Sequence, residues 1–346
     1  MTKTRDTNGR LWNMNRMRPV VRGLAFLLLS IAPAAMLGAA ALGTTHATPL
    51  SPVLVSLATL PALALVGYIA VMEGSVSLWT PNRVTLDATS TVTVAAVAVG
   101  APLTRVLAVD LGLGVVVAAA LVGLLADRVL PDVGAAVYCG TFVGMAAPAL
   151  FDGLGLVTAA GLVAGLLFIA AERVFDGFGG KLGTTAFVGC AAVALATGAS
   201  GASESGVAMP SATGALLAGM IAAVATYTSA FRLEHGPLQA SALVGLVGGL
   251  VCPPLFAAGE GLAVVVFCAS FAGMASPTRM PGAGTMALAG ALCGLLVVAT
   301  APVFVGAGGK LGTIAFTACL LVRGLLAVGR TATPLSVPIP TDRLGS

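Results

Sequence analysis

Apolar stretches separated by short polar breaks recur along the whole chain. They cover residues 23–43, 51–72, 88–104, 111–126, 133–151, 154–171, 182–198, 212–230, 238–257, 262–276, 283–303 and 311–328. Each is roughly 15–22 residues long, most of them near the length a helix needs to cross a bilayer. The pattern predicts an all-α polytopic membrane protein of about 12 transmembrane helices. Several stretches are short, and one or two of these are expected to be re-entrant. Gly and Pro are frequent inside them, which a bilayer tolerates because small residues let helices approach and neighbours re-satisfy freed backbone groups.

The pattern is also duplicated. Residues 139–190 align without a gap to 268–319, with 26 of the 52 positions identical. The matches include Phe142 with Phe271 and Phe175 with Phe304, and the longest run sets Gly179–Thr184 against Gly308–Thr313. An apolar internal repeat is a common plan of membrane transporters, with the site where the copies meet.

Composition agrees with the bilayer reading. Hydrophobic residues make up 58% of the chain and charged residues 9%, where a soluble domain has about 25% charged. Mean hydropathy is +1.03. The net charge of +4 is small, and no basic patch interleaved with aromatics points to nucleic acid. The six cysteines lie in apolar stretches without a C-x-x-C. They read as buried free thiols, since metal or disulfide spacing is missing.

Charge sets an expected orientation. With the N-terminus in the cytoplasm and twelve crossings, only Arg105 and Lys310 of the 17 basic residues fall outside, as the positive-inside rule demands. Both termini are then cytoplasmic, in a cell (inner or plasma) membrane. Residues 1–22 form a cytoplasmic segment and 23–87 two accessory helices. Residues 88–198 are the first repeat, 199–211 a polar connector, 212–328 the second repeat, and 329–346 a disordered tail. Five crossings per repeat force the copies into opposite orientations, a 5+5 inverted repeat. The stretch after Arg16, Arg18 and Arg22 also resembles a signal peptide. Its apolar part exceeds the usual 7–15 residues, which favours a retained helix, with cleavage as the alternative.

Two motif pairs carry candidate chemistry. Gly177–Thr184 and Gly306–Thr313 are Gly-rich segments leading into apolar helices. Gly180 and Gly309 permit tight backbone, and Lys181 and Lys310 then sit at helix starts with unpaired N–H groups, a plausible place for an anion or a polar carbonyl. A phosphate-loop spacing is absent. For the lysines, snorkelling to the interface is an equal alternative; for the glycines and for Thr184 and Thr313, retention of the hexapeptide in both copies favours a shared functional constraint over a packing one. The second pair, Tyr138–Gly144 and Phe267–Gly273, places an aromatic, small residues and a hydroxyl (Thr141 or Ser270) within about two helical turns. Locally, a helix-packing face is the simpler explanation. Glu260 and Asp152 are weak candidates for an external vestibule. His46 and His235 belong to no ligand-spaced cluster, and the carboxylates cluster at helix ends, so neither an enzyme, a metal site nor a cofactor is signalled.

These motifs resemble those of urea transporters. That family carries, in each of two five-helix inverted repeats, a segment like Y-N-G-x-L-V-G followed by one like L-T-x-P-F. Tyr138-Cys139-Gly140-Thr141-Phe142-Val143-Gly144 resembles the first, with Cys for Asn. Thr184-Thr185-Ala186-Phe187 and Thr313-Ile314-Ala315-Phe316 resemble the second without its Pro. The resemblance implies that Thr184, Phe187, Thr313 and Phe316 line a narrow pore for planar amides, and that the chain forms a trimer with one pore per subunit.

Three function classes stay open. The first is a channel or facilitative transporter for a small polar solute, urea or a similar neutral amide. The second is an anion channel or carrier using Lys181 and Lys310. The third is a membrane scaffold without transport. The substrate pathway expected under the first two draws on Tyr138, Thr141, Phe142, Gly180, Lys181, Thr184, Phe187, Ser270, Phe271, Gly309, Lys310, Thr313 and Phe316. The discriminating observation is whether the two Gly-Gly-Lys-Leu-Gly-Thr segments converge or end at opposite surfaces.

Overall fold

A computed structural model describes the backbone of residues 5–43, 52–79, 88–199 and 207–332, and side chains within 20–42, 59–74, 88–199 and 207–329. Residues 333–346 of the tail, the first part of the connector and His46 lie outside these residues, as do the side chains of the first nineteen residues. The start of the tail, 329–332, is not disordered but continues the last helix.

Every described element is helical, and each apolar stretch falls on one helix, although the first helix already begins at Arg5, inside the segment expected to precede it, and the second runs on to Trp79. In chain order they are α1 (Arg5–Gly43), α2 (Pro52–Trp79), α3 (Ala88–Arg105), α4 (Val115–Val129), α5 (Gly134–Gly144), α6 (Leu154–Ala170), α7 (Lys181–Thr197), α8 (Ala212–Phe231), α9 (Pro237–Leu255), α10 (Gly259–Gly273), α11 (Ala283–Ala299) and α12 (Lys310–Ala332). A π turn, Val106–Asp110, continues α3. Five segments are long and apolar enough to cross a membrane: Val20–Leu42, Ala88–Asp110, Ala212–Phe231, Pro237–Leu255 and Lys310–Gly329. Apolar side chains such as Ile31, Leu166, Leu195, Ile221 and Leu250 are exposed on the outer faces. A surface of that kind suits lipid better than water.

Several ends differ from the apolar pattern, each for a local reason. Residues 111–114 are loop, with Gly112 and Gly114 at positive φ, so α4 starts at Val115. The 133–151 stretch is helical only to Gly144. Its remainder turns back because the Arg105 guanidinium gathers the carbonyls of Ala146 and Phe151. The 283–303 stretch stops at Ala299, where Lys310 Nζ takes the carbonyls of Thr300 (2.7 Å) and Ala301 (3.2 Å).

The second copy repeats the neighbours of the first. α3 packs on α5 and α6 as α8 packs on α10 and α11. α7 packs on α5 and α6 as α12 packs on α10 and α11. Close approach rests on missing side chains: a Cβ at Gly219 of α8 would lie 2.2 Å from the Gly290 carbonyl of α11. Across the copies, counterparts meet counterparts, α4 on α9 and α7 on α12. The individual contacts are reciprocal. Ala147 N–H donates to Gly306 O (2.8 Å), and Ser276 N–H to Gly177 O (2.9 Å). Phe187 meets Phe304 at 5.2 Å, and Phe316 meets Phe175 at 5.1 Å. Reciprocity of this kind is the signature of a twofold, self-complementary interface.

α1 and α2 break the balance. They lie against α7, α6 and α12. Phe26 of α1 stacks on Phe175 at 5.3 Å, leaving Phe175 buried while its counterpart Phe304 stays 39% exposed. Both phenylalanines hold φ of 50°, a conformation that costs a non-glycine residue roughly 1–3 kcal/mol.

Candidate functional site

The two Gly-Gly-Lys-Leu-Gly-Thr segments converge. Gly180 holds φ of 82° and Gly309 φ of 78°, each turning the chain sharply into the following helix. One turn in, Gly183 and Gly312 touch: a Cβ on Gly183 would lie 2.5 Å from Gly312 Cα, and one on Gly312 would lie 2.4 Å from Gly183 Cα. A Cβ on Gly180 would strike Gly312 O and Phe316 N, and one on Gly309 would strike Gly183 O and Phe187 N. The glycines of the hexapeptide are therefore the ones against which the other copy's backbone rests.

Each lysine ties a helix start to the end of the helix before it. Lys181 Nζ donates to Glu172 O at 2.9 Å, and Lys310 Nζ to Thr300 O and Ala301 O. Here a cation meets carbonyls at a helix C-terminus, where the helix dipole favours positive charge.

Beside each lysine lies a cavity. The first-copy cavity, about 260 Å³, is lined by Gly179 to Gly183 together with Phe168, Glu172, Asp176, Phe178, Thr185 and Met274. The second-copy cavity, about 170 Å³, is lined by Gly309 to Gly312 together with Val297, Ala301, Val305, Ala307, Ile314 and Met145. The two share two wall residues, Phe142 and Phe271. Their ring centroids are 4.7 Å apart and tilted by 58°. Both side chains are 2% exposed. The aromatic pair thus stands as a plug between two cavities, each lined mainly by one copy. Each cavity is mostly apolar, with a few polar groups at its rim, the usual make-up of a small-molecule site.

The expected pathway residues divide. Phe142, Phe271, Gly180, Lys181, Gly309 and Lys310 line a cavity. Thr184 and Thr313 are buried and donate to Gly180 O and Gly309 O at 3.2 and 3.3 Å, off the cavity walls. Phe187 and Phe316 pack against Phe304 and Phe175. Tyr138, Thr141 and Ser270 sit behind the plug. Thr141 and Ser270 each donate to the carbonyl three residues back, at 2.8 and 2.7 Å. Tyr138 lies 4.6 Å from Phe142.

Three features have no counterpart in the sequence reading. Ser241 bridges Tyr138 Oη (3.2 Å) and Ser270 Oγ (2.9 Å). Glu73 of α2 pairs with Arg279 (2.5 Å), which also donates to Asp176 O at 3.0 Å and lies over the Phe178 ring at 4.7 Å. Glu172 and Asp176 face the first-copy cavity, where the second copy has Ala301 and Val305. The aligned repeat held the signal for this last asymmetry, because the two carboxylates are among its mismatches. The first two join residues 103 and 206 positions apart, and no local pattern marks them.

All six cysteines are free. Cys139 and Cys268 make matching contacts, to Leu182 O at 3.3 Å and Leu311 O at 3.2 Å. His235 pairs with Ser229 at 3.1 Å in an exposed loop. Among the described residues no group of three or more His, Cys, Asp or Glu is placed to hold a metal ion. No family model, curated protein or solved structure matches the chain.

Proposed function

We propose that the chain is a membrane channel or facilitative transporter for a small polar solute, urea or a similar neutral amide. One observation carries this reading: two cavities, each lined mainly by one copy, share Phe142 and Phe271 as a common wall. In this reading twelve helices cross or enter the membrane, and the reciprocal contacts define a twofold axis lying in its plane. The first-copy cavity opens toward the cytoplasm and the second-copy cavity outward, as the distribution of basic residues requires. Inverted repeats that place a site at their interface near the midplane are a recurrent transporter plan. Passage requires the two rings to part. Selectivity then follows from the width of the gap and from the few polar groups at each side.

A second reading has its own support. Lys310 faces a cavity with Ala301 and Val305 where Lys181 has Glu172 and Asp176, which favours an anion from the second-copy side. Purified protein in liposomes separates the readings. Urea-driven shrink–swell kinetics above protein-free vesicles support the first, and potential-dependent anion flux lost on Lys181→Ala with Lys310→Ala supports the second. Neither flux would leave a scaffold role and end both transport readings.

A further inference from the structure

Resting on that reading, one more role falls to residues that line neither cavity. Tyr138 is fully buried, and its ring packs against α4, where a Cβ at Gly123 would fall 2.2 Å from Cδ2. The ring touches both halves of the plug, 4.6 Å from Phe142 and 6.3 Å from Phe271. Its hydroxyl begins a chain through Ser241 to Ser270, all three buried. The proton directions follow from counting hydrogens. Ser270 gives its one hydrogen to Phe267 O, so Ser241 must donate to Ser270, and Tyr138 to Ser241. This one-way chain fastens α5 of the first copy to α9 and α10 of the second, in apolar surroundings where an unmade bond is costly.

The opposite side of the plug has no such chain. Phe267 is the counterpart of Tyr138 and rests on Gly245 as Tyr138 rests on Gly123, with a Cβ there 2.3 Å from its ring. Four residues before Gly245 stands Ser241, and four before Gly123 stands Ala119. One side carries Tyr and Ser, the other Phe and Ala.

We propose that Tyr138 and Ser241 are positioning residues that pin Phe142 against Phe271 and so set the largest solute the plug admits. Tyr138→Phe combined with Ser241→Ala tests this, since the double variant reproduces a pair the fold already holds at Phe267 and Ala119. In liposomes the permeability ratio of dimethylurea to urea should rise about thirtyfold, the equivalent of two net hydrogen bonds of about 1 kcal/mol each. A readout without flux accompanies it. Cys139 adjoins Tyr138 and contacts Leu182 of the first-copy cavity wall, so its alkylation by N-ethylmaleimide, located by mass spectrometry, should quicken relative to Cys268. If the wild-type chain passes no urea, the transport reading fails, and Cys139 labelling alone decides this role. Unchanged labelling together with an unchanged ratio, whatever happens to the melting temperature, overturns it.

Discussion

The two cavities are built from the same hexapeptide and differ in what surrounds it. On the first-copy side, Lys181 shares the cavity wall with two carboxylates. The rim there is held by Arg279, bound to Glu73, to Asp176 O and to the face of Phe178. On the second-copy side, Lys310 has aliphatic neighbours, and the adjoining turn is held by Arg105 on two backbone carbonyls. What stayed alike is the backbone contact at the centre, and what diverged is charge and bracing at the mouths. A duplicated scaffold can thus keep reciprocal packing at its centre while giving its two cavities different electrostatics.

The comparison breaks most severely at the glycines. Gly180→Ala and Gly309→Ala each force a Cβ to within about 2.4 Å of the other copy's backbone from a left-handed conformation. Each should cost more than about 3 kcal/mol, seen as loss of the monodisperse peak in detergent. Gly198→Ala, also left-handed (φ 69°) but facing open space, should cost only about 1–2 kcal/mol. Equal damage from all three would remove the argument for close approach.

Next come the plug residues. Phe142→Ala and Phe271→Ala should each lower stability by about 3–5 kcal/mol and admit solutes larger than urea. Matching effects from the two would sharpen the twofold picture, while a large effect from only one would break it. Smaller again, Lys310→Met strands two carbonyls and Lys181→Met one. The losses should be about 1.5–3 kcal/mol with Lys310 the greater, read as melting temperatures side by side. Least of all, Glu73→Gln removes one ion pair between side chains 22% and 11% exposed. It should cost about 1 kcal/mol, with a shift that shrinks in high salt and leaves Lys310→Met unaffected.

The helices were legible in the sequence because apolar runs broken by Gly, Pro and charge mark them directly. Even the starts of α7 and α12 fall at Lys181 and Lys310, where the retained glycines announced them. Less legible were ends decided by distant groups, such as the turn after Gly144 that Arg105 folds back. Of the candidate residues, Phe142 and Phe271 stood out as aligned identities, yet nothing in the alignment said they would face each other. Tyr138 looked like a wall residue because its motif is polar and aromatic. Its mate lies on α9, and only three-dimensional proximity reveals that its hydroxyl points to a helix instead of a cavity.

The touch between Gly183 and Gly312 ties the histories of the two halves together. Any bulk added to one is felt by the other's main chain, so neither can drift alone, whereas Ala301 and Val305 could part from Glu172 and Asp176 freely. A contact that serves as its own mate also requires just one sequence to make it.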